Sequence, residues 1–122
     1  MKLTNYTIYI YSQNLSSAFS NKEQHLPIKL NFSILKNSQL LSTLAQEIEE
    51  ARINIIKHYG EIQEDGNIKV PEDKIVIANQ EIEDLFSIEQ EVNILKVDIE
   101  SFGDLQLSIE QMNAIMFMVE GE

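Results

Sequence analysis

Residues 27–59 read PIKLNFSILKNSQLLSTLAQEIEEARINIIKHY, and Gly60 follows them. Aliphatic side chains recur at every seventh position of this stretch, and further apolar side chains follow three or four positions later. The repeating set is Ile34, Leu41, Ile48 and Ile55. This spacing places apolar side chains on one face of an α-helix and leaves the charged ones on the other. The stretch therefore predicts one long amphipathic helix, whose apolar face needs other elements to cover it.

The two ends of this predicted helix carry helix-terminal signals. Pro27 suits the first turn, where its missing N–H loses no hydrogen bond. Lys57 and His58 lie in the last turn, where positive charge interacts favourably with the helix dipole. Gly60 is expected to end the helix in the left-handed conformation. Apolar residues alternate over residues 28–33, so a strand remains the alternative there, although a helix is favoured.

Three shorter segments have helical features. Residues 5–19 contain a run of aromatic and β-branched residues, so their composition leaves helix and strand equally open. A helix is predicted at about 80–89, with Asn79 as its N-cap. A last helix is predicted at about 108–119, because Ser108 begins a capping box.

A small antiparallel β portion completes the predicted fold. Residues 67–77 predict a hairpin that turns at Pro71, and residues 92–99 predict a further strand. Such short strands are marginal alone and need a helix to pack against. The predicted fold is a single, mostly helical α+β domain over residues 1–122. Its long central helix, at about 27–59, is packed by the shorter helices and the β portion.

Net charge is the most unusual global property of the chain. Twenty acidic and nine basic residues give a formal net charge of −11 over 122 residues. Such a surface repels phosphate backbones, so direct nucleic-acid binding is not expected. An acidic surface keeps a protein in solution, and it also complements the basic groove of a protein partner. Both interpretations remain open from the sequence.

Composition also bears on the cellular compartment. The chain has no cysteine, which excludes a disulfide framework and thiol chemistry. No apolar run approaches the roughly 20 residues that span a bilayer. The N-terminal residues make a poor signal peptide, because their apolar patch is short and broken by polar side chains. These features predict a cytoplasmic protein.

No residue pattern indicates catalysis, a metal or a cofactor, and none of these is expected. His25 and His58 have no serine and aspartate partners at a recognisable spacing. Glu47, Glu50 and His58 share a helix face, but the Glu-x-x-His pattern of helical metal sites is absent. Residues 65–67 indicate a turn, since the other ligand positions of a calcium loop are missing.

Candidate binding residues fall into three sets. The acidic candidates for binding a partner are Glu47, Glu49 and Glu50. The apolar candidates for binding a partner lie on the last helix, where methionine gives an adaptable surface; they are Met112, Met116 and Phe117. Apolar residues that flank the main stripe of the long helix indicate self-association to a homo-oligomer; they are Leu35, Leu40 and Ile56.

Three segments of the chain resemble a small protein family encoded by tailed bacteriophages and prophages of low-GC Gram-positive bacteria. They are residues 26–37 leading into the acidic helix, the helix exit with its following turn over residues 49–67, and the β-type stretch with the closing helix over residues 92–120. The resemblance implies that residues 5–19 form a helix. It also implies a phage accessory protein in the bacterial host cytoplasm, with no set activity.

Together these observations favour a non-catalytic phage or prophage protein that binds a macromolecular partner. The partner is expected to be a host or phage protein, for which a basic surface would suit the acidic chain. Inhibition of a host defence or nuclease complex is the most concrete form of this hypothesis. A virion-assembly or tail-region accessory protein is the alternative. An oligomeric small-molecule-binding sponge is a second alternative, and an enzyme is the least favoured class.

Overall fold

The structure, a computed structural model, describes residues 1–21 and 23–121. It confirms a mostly helical α+β fold built on one long helix. The helices are α1 (Asn5–Ala18), α2 (Ile28–Tyr59), α3 (Ile75–Ser87) and α4 (Ile109–Ile115). The short strands are β1 (Lys2–Thr4), β2 (Glu61–Ile62), β3 (Ile68–Lys69), β4 (Glu89–Glu91), β5 (Val97–Asp98) and β6 (Val119–Glu120). Single 3₁₀ turns cover Glu72–Lys74, Ile99–Phe102 and Met116–Met118.

The strands pair two by two and connect distant parts of the chain. β1 pairs antiparallel with β4, which joins the N-terminus to the segment after α3. β2 and β3 form a local antiparallel hairpin. β5 and β6 pair in parallel, with Val97 opposite Val119, and so attach the C-terminal residues to the segment before α4. These ladders are short, so the helices carry most of the packing.

Helix α2 is the spine of the molecule. Its 32 residues extend about 48 Å at 1.5 Å per residue. The predicted stripe is the buried face over the first two thirds of the helix, where Ile34, Leu41 and Ile48 are buried, and Ile55 further along is half-buried. Residues 28–33 are helical, so the favoured helix over that segment is confirmed.

Helix α1 begins where strand β1 ends. The Thr4 hydroxyl accepts a hydrogen bond from the backbone N–H of Thr7 at 3.1 Å, which caps the helix. Asn5, buried, then fastens this end of α1 to α3, because its Nδ2 donates to the carbonyl of Leu85 at 2.8 Å. Its Oδ1 accepts from Gln90 at 2.6 Å. The helical form implied for this segment is confirmed.

One hydrophobic cluster, here called the main core, surrounds the first two thirds of α2. It draws on β1, α1, α2, α4, the segment between α3 and α4, and the 3₁₀ turn that follows α4. Its buried members are Leu3, Ile8, Leu15, Leu30, Ile34, Leu41, Ile48, Val92, Val97, Phe102, Ala114, Ile115 and Met118. Within the described chain, none of its members lies between residues 49 and 84.

The hairpin predicted over residues 67–77 is only half correct. Ile68–Lys69 is a strand, but its partner is the earlier segment Glu61–Ile62. The expected second strand is wrong, because α3 begins at Ile75. Pro71 starts a 3₁₀ turn, and its carbonyl accepts from the Lys74 N–H at 2.9 Å. The backbone is therefore already helical before the β-branched residues 75–77.

The N-cap predicted at Asn79 is also wrong, since that residue is exposed within α3. The helix begins four residues before Asn79, at Ile75. Its apolar face starts there and includes the buried Ala78. Ile82 and Leu85, both half-buried, continue this face. Packing of that face against α2 outweighs the β propensity of the Ile-Val-Ile run.

The strand predicted over residues 92–99 shortens to Val97–Asp98. Asn37 on α2 occupies both backbone polar groups of Leu95, donating to its carbonyl at 2.9 Å and accepting from its N–H at 2.8 Å. A side chain thus replaces the neighbouring strand at this position. The last helix is shorter than predicted, because α4 passes into the Met116–Met118 turn and then into β6. Its capping box at Ser108 is confirmed.

Gly60 follows α2 without the left-handed conformation that was expected. Its φ is −93° and its ψ is 164°, which is extended backbone. Glycine is needed here because of close packing. A Cβ would lie 2.7 Å from the carbonyl oxygen of Ile56, and closer still to a methyl group of Ile68. The missing side chain lets the hairpin fold back against the end of α2.

Candidate functional site

Charge is segregated along the chain, and the sequence prediction missed this. Nineteen of the twenty acidic residues come after Gln46, and Glu23 is the sole acidic residue before it. The prediction used the net charge of the whole chain and did not compare its two parts. A count over residues 1–46 and 47–122 shows the asymmetry directly.

The acidic part of the chain, after Gln46, contains a projecting unit that lies outside the main core. This unit is here called the distal arm. It comprises residues 49–84, which include the last turns of α2, the β2–β3 hairpin and most of α3. The α2 portion continues for eleven residues past Ile48, or about 16 Å. Helices α2 and α3 pack together here, with Ala78 as the buried apolar residue. The arm is therefore thin and has little interior.

The arm leaves much of its apolar surface in solvent. Ile62 at the hairpin is 78% exposed and Val76 on α3 is 80% exposed. Three further β-branched side chains of the arm are exposed, namely Ile53, Ile75 and Ile77. Single exposed apolar residues are ordinary and also occur elsewhere on this chain, but five β-branched ones on one projecting unit indicate an interaction surface.

Carboxylates accompany this apolar group. The arm contains ten acidic residues: Glu49, Glu50, Glu61, Glu64, Asp65, Glu72, Asp73, Glu81, Glu83 and Asp84. Its bases are Arg52, Lys57, Lys69 and Lys74. In the described part of the chain, only Arg52 forms an ion pair with an arm carboxylate, which is that of Glu49. The other carboxylates of the arm form no ion pair within the described residues, although Asp65 and Asp84 accept hydrogen bonds from Asn67 and Gln80.

The Glu49–Arg52 pair has a clear electrostatic signature. Arg52 Nε donates to Glu49 Oε2 at 2.9 Å, and Arg52 Nη2 donates to the other carboxylate oxygen. This hydrogen bonding lowers the pKa of Glu49 and raises the pKa of Arg52. Desolvation near α3, with the neighbouring Glu81, raises the pKa of Tyr59. Both effects stabilise the ordinary ionisation states of these groups near neutral pH.

The three predicted acidic residues lie where the arm begins. Glu47 and Glu50 are exposed, whereas Glu49 is half-buried and committed to Arg52. Two of the three are thus free to meet a partner. The arm carries additional carboxylates on the hairpin and on α3 that the predicted set did not contain.

The predicted apolar set on the last helix is divided by the fold. Met116 is 62% exposed, whereas Met112 packs against the main core. Phe117 stacks on Tyr11, with ring centroids 4.3 Å apart and planes within 15°. Only Met116 presents most of its surface to solvent.

The apolar and acidic sets do not form one continuous surface. Met118, next to Phe117, approaches Asn37 on α2, because Asn37 Nδ2 lies 3.4 Å from its sulfur. Glu47 comes ten residues later on the same helix, about 15 Å further along its axis. The acidic set therefore belongs with the arm, and the methionine set lies near the main core.

The three self-association candidates also differ in exposure. Leu35 is 52% exposed on α2, Leu40 packs against the main core, and Ile56 is half-buried. Phe32 and Ile28, which the prediction did not include, are exposed one and two turns before Leu35. Their i, i+4, i+7 spacing was the available signal.

The groups considered for chemistry are dispersed. His58 is exposed, with its ring edge against Tyr59, and His25 is exposed near the start of α2. Residues 65–67 form the predicted turn, in which Asp65 Oδ1 accepts from the Asn67 N–H at 3.0 Å. Within the described residues, no group of three or more metal-binding side chains comes together. Across the same residues, no helix is long and apolar enough to cross a membrane.

Comparison of the chain with protein-family models, with curated proteins and with solved structures found no match. The exposure, contacts and charges of the arm are therefore the observations that bear on its role.

Proposed function

We propose that this protein is a non-catalytic binding protein whose distal arm docks onto a basic groove of a protein partner. One observation carries the proposal: exposed β-branched side chains share the projecting unit with carboxylates that, Glu49 apart, form no ion pair among the described residues. The carboxylates supply complementarity to a positive surface, and the aliphatic side chains supply contact area that is lost from water on binding.

Charge on the arm acts mainly before contact. A negative projection is attracted to a positive groove at long range, which raises the association rate and weakens with salt. At physiological ionic strength the Debye length is about 8 Å, so the field is felt only near the arm. Concentrating the charge on one end also orients the molecule as it approaches.

Apolar contact then determines how long the complex lasts. Ile62 at the hairpin and Val76 on α3 are the most exposed apolar residues of the arm. Aliphatic anchors surrounded by polar groups have the arrangement of protein–protein interfaces, with an apolar centre and a polar rim. Free nucleic acid is a poor partner, because the arm's carboxylates repel phosphate.

The class of partner follows from this chemistry. Basic grooves that accept an acidic ligand are typical of proteins that bind nucleic acid. With the resemblance to phage-encoded proteins, this supports inhibition of a host defence or nuclease complex in the bacterial cytoplasm. The same arm would also suit a basic subunit of a virion, so the assembly role is the competing outcome of the test.

The test compares two variants with equal change in charge. Glu61, Glu64 and Glu72 lie on the arm, whereas Glu89, Glu100 and Glu120 lie elsewhere, and all six are exposed. Each set is changed to glutamine. The wild type and both variants are used to capture partners from host lysate and from phage particles, with identification by mass spectrometry.

The proposal expects the captured partner to have a basic groove. Affinity should fall at least about tenfold for the arm variant and less than about twofold for the control variant, because only the arm meets the groove. Double-stranded DNA should compete, and added salt should weaken binding. Equal effects of the two variants, or binding that salt does not change, would contradict the proposal. A partner found only in particles would favour the assembly role.

A further inference from the structure

A groove whose described lining residues are uncharged runs between α1 and α2. Its volume is about 770 Å³, and its walls are hydroxyl and amide side chains. Ser12, Gln13 and Ser16 come from α1, and Ser38, Gln39 and Ser42 come from α2. None of the described residues that line it is charged, although Glu110 accepts a hydrogen bond from the hydroxyl of Ser17 at its edge. Such a surface is unusual on a chain with a net charge of −11.

The groove continues towards the start of α2 and becomes more apolar. A second depression, of about 580 Å³, shares Ser16 and Ser38 with the first and reaches Leu15 and Leu35. Among the residues that the structure describes, none that lines this depression is charged. The described residues of the two depressions together make one continuous surface of uncharged side chains along the two helices.

An exposed apolar stripe borders this surface on the first turns of α2. Ile28 is 78% exposed, and Phe32 and Leu35 are each 52% exposed. At spacings of four and three residues they lie on one helix face. These three residues are here called the apolar stripe. Gln39, Ser42 and Gln46 continue the same face without charge.

We propose that the apolar stripe and the uncharged groove bind a second copy of this chain. The reason is electrostatic. Two copies each carrying −11 repel one another wherever their acidic surfaces approach. Residues 26–46 contain no acidic side chain and two lysines, Lys29 and Lys36. This face is therefore one on which identical chains can meet without placing carboxylates opposite carboxylates.

A two-fold arrangement fits the order of residues along the helix. If two α2 helices cross antiparallel about a point between Phe32 and Leu35, Phe32 meets the second copy's Leu35. Ile28 then meets the second copy's Gln39. The centre of the contact is apolar and its ends carry hydroxyls and amides, which is the usual anatomy of an interface. A two-fold contact uses the same patch on both copies.

The antiparallel arrangement also separates the acidic arms. The helices overlap from Ile28 to Gln39, and Glu47 lies eight residues later, about 12 Å beyond the overlap. The arms of the two copies consequently point away from each other. Three side chains alone fall short of the roughly 800 Å² per partner that a stable interface buries, and the adjoining groove supplies further area.

The apolar stripe differs from the predicted self-association set in two of its three residues. Leu35 is retained, whereas Leu40 and Ile56 are replaced by Ile28 and Phe32, which are exposed on the same face as Leu35. The proposed dimer is independent of the arm's partner, since it concerns a different face. A dimer with two outward arms would engage a multivalent partner more tightly than a monomer through effective concentration.

The first experiment measures the oligomeric state of the full chain by sedimentation equilibrium over a range of concentrations. The wild type is expected to form dimers. Phe32→Glu should raise the dimer dissociation constant at least about a hundredfold, because it places like charges at the two-fold contact. Val76→Glu changes a residue that is 80% exposed on the arm, and it should leave the constant within about twofold. Far-UV circular dichroism verifies that both variants are folded.

The second experiment uses the absence of cysteine from the chain. Leu35→Cys and Val76→Cys each introduce one thiol at an exposed position, and a short bismaleimide links thiols that lie close together. The first variant should cross-link efficiently between copies, and the second, on the arm, should not. A monomer at every concentration would overturn the proposal. Cross-linking at Val76 equal to that at Leu35 would overturn the antiparallel arrangement.

Discussion

Asn37 on α2 forms two hydrogen bonds with the backbone of Leu95, as a neighbouring strand would. Its Oδ1 accepts from the Leu95 N–H at 2.8 Å, and its Nδ2 donates to the Leu95 carbonyl at 2.9 Å. Asn37 is 1% exposed and lies beside Met118 in the main core. The segment between β4 and β5 is therefore attached to the spine through a side chain.

The first prediction follows from this pair. Asn37→Ala leaves two backbone groups without partners, so the free energy of unfolding should fall by about 2–4 kcal/mol. Urea denaturation measures it, with Asn93→Ala, an exposed asparagine nearby, as the control that should change stability by less than about 0.5 kcal/mol. A loss for Asn37→Ala no larger than that of the control would show that Leu95 is held by other contacts.

The second prediction concerns the close approach at Gly60. Gly60→Ala adds a methyl group against the Ile56 carbonyl and the Ile68 side chain, so stability should fall by about 1–3 kcal/mol. The backbone there is ordinary extended chain, so strain in φ plays no part. The expected signature is loss of the β2–β3 pairing in NMR spectra, while the main core keeps its chemical shifts. Retention of that pairing would show that the hairpin can shift without cost.

The contrast between α2 and Leu95 shows what the sequence could predict. The stripe of Ile34, Leu41 and Ile48 recurs with the helix period, so the spine, its bounds and the fold class followed from local pattern. The bond from Asn37 to Leu95 joins residues 58 positions apart, and no local pattern reports it. The strand predicted around Leu95 failed for that reason.

The predicted binding residues show the same contrast between what local pattern indicates and what depends on contacts between distant residues. Glu47 and Glu50 are exposed, as expected of charged residues off the apolar stripe, and their binding role stays a prediction. The stacking of Phe117 on Tyr11 depends on how α4 meets α1, which spacing along one helix cannot show. The exposure of Ile62 and Val76 likewise depends on the arm lying beyond the main core.

A third prediction separates two roles of Gln111. Its side chain completes the capping box with Ser108, and its Nε2 also donates to the Ala18 carbonyl at 3.0 Å and to Gln24 at 2.7 Å. Ser108→Ala removes a helix cap, with an expected loss of about 1 kcal/mol. Gln111→Ala also removes the connection from α4 to α1, so its loss should exceed that of Ser108→Ala by about 1 kcal/mol. Equal losses in urea denaturation would contradict this second role.

The fourth prediction is a pH dependence at the base of the arm. The bond from Arg52 lowers the pKa of Glu49 in the folded chain. The pair therefore contributes its full stability above the unfolded-state pKa of Glu49 and loses it as pH falls through the lower folded-state value. Since the pair is a partly exposed one within a helix, we expect only about 0.3–0.5 kcal/mol. Glu49→Gln should be less stable than wild type at pH 7, and the difference should vanish in acid.

Glu47→Gln is the matched control for that experiment, since Glu47 is exposed and forms no ion pair in the described part of the chain. Its stability relative to wild type should stay constant over the same pH range, as measured by thermal unfolding. A difference for Glu49→Gln that persists unchanged in acid would show that the two residues are linked by something other than the carboxylate charge.

The last prediction concerns local stability along α2. Amides near Ile34 and Leu41 lie beside the main core, whereas those near Ile53 and Ile56 lie in the arm, which contributes no member to it within the described residues. Local opening is favoured where few apolar contacts must be broken. Hydrogen exchange should therefore be at least about tenfold faster, relative to intrinsic rates, in the arm portion of the helix than in the core portion. The same helix supplies its own control. Uniform protection from Ile34 to Ile56 would mean that the arm unfolds only with the whole molecule, and that α3 holds it more firmly than its packing indicates.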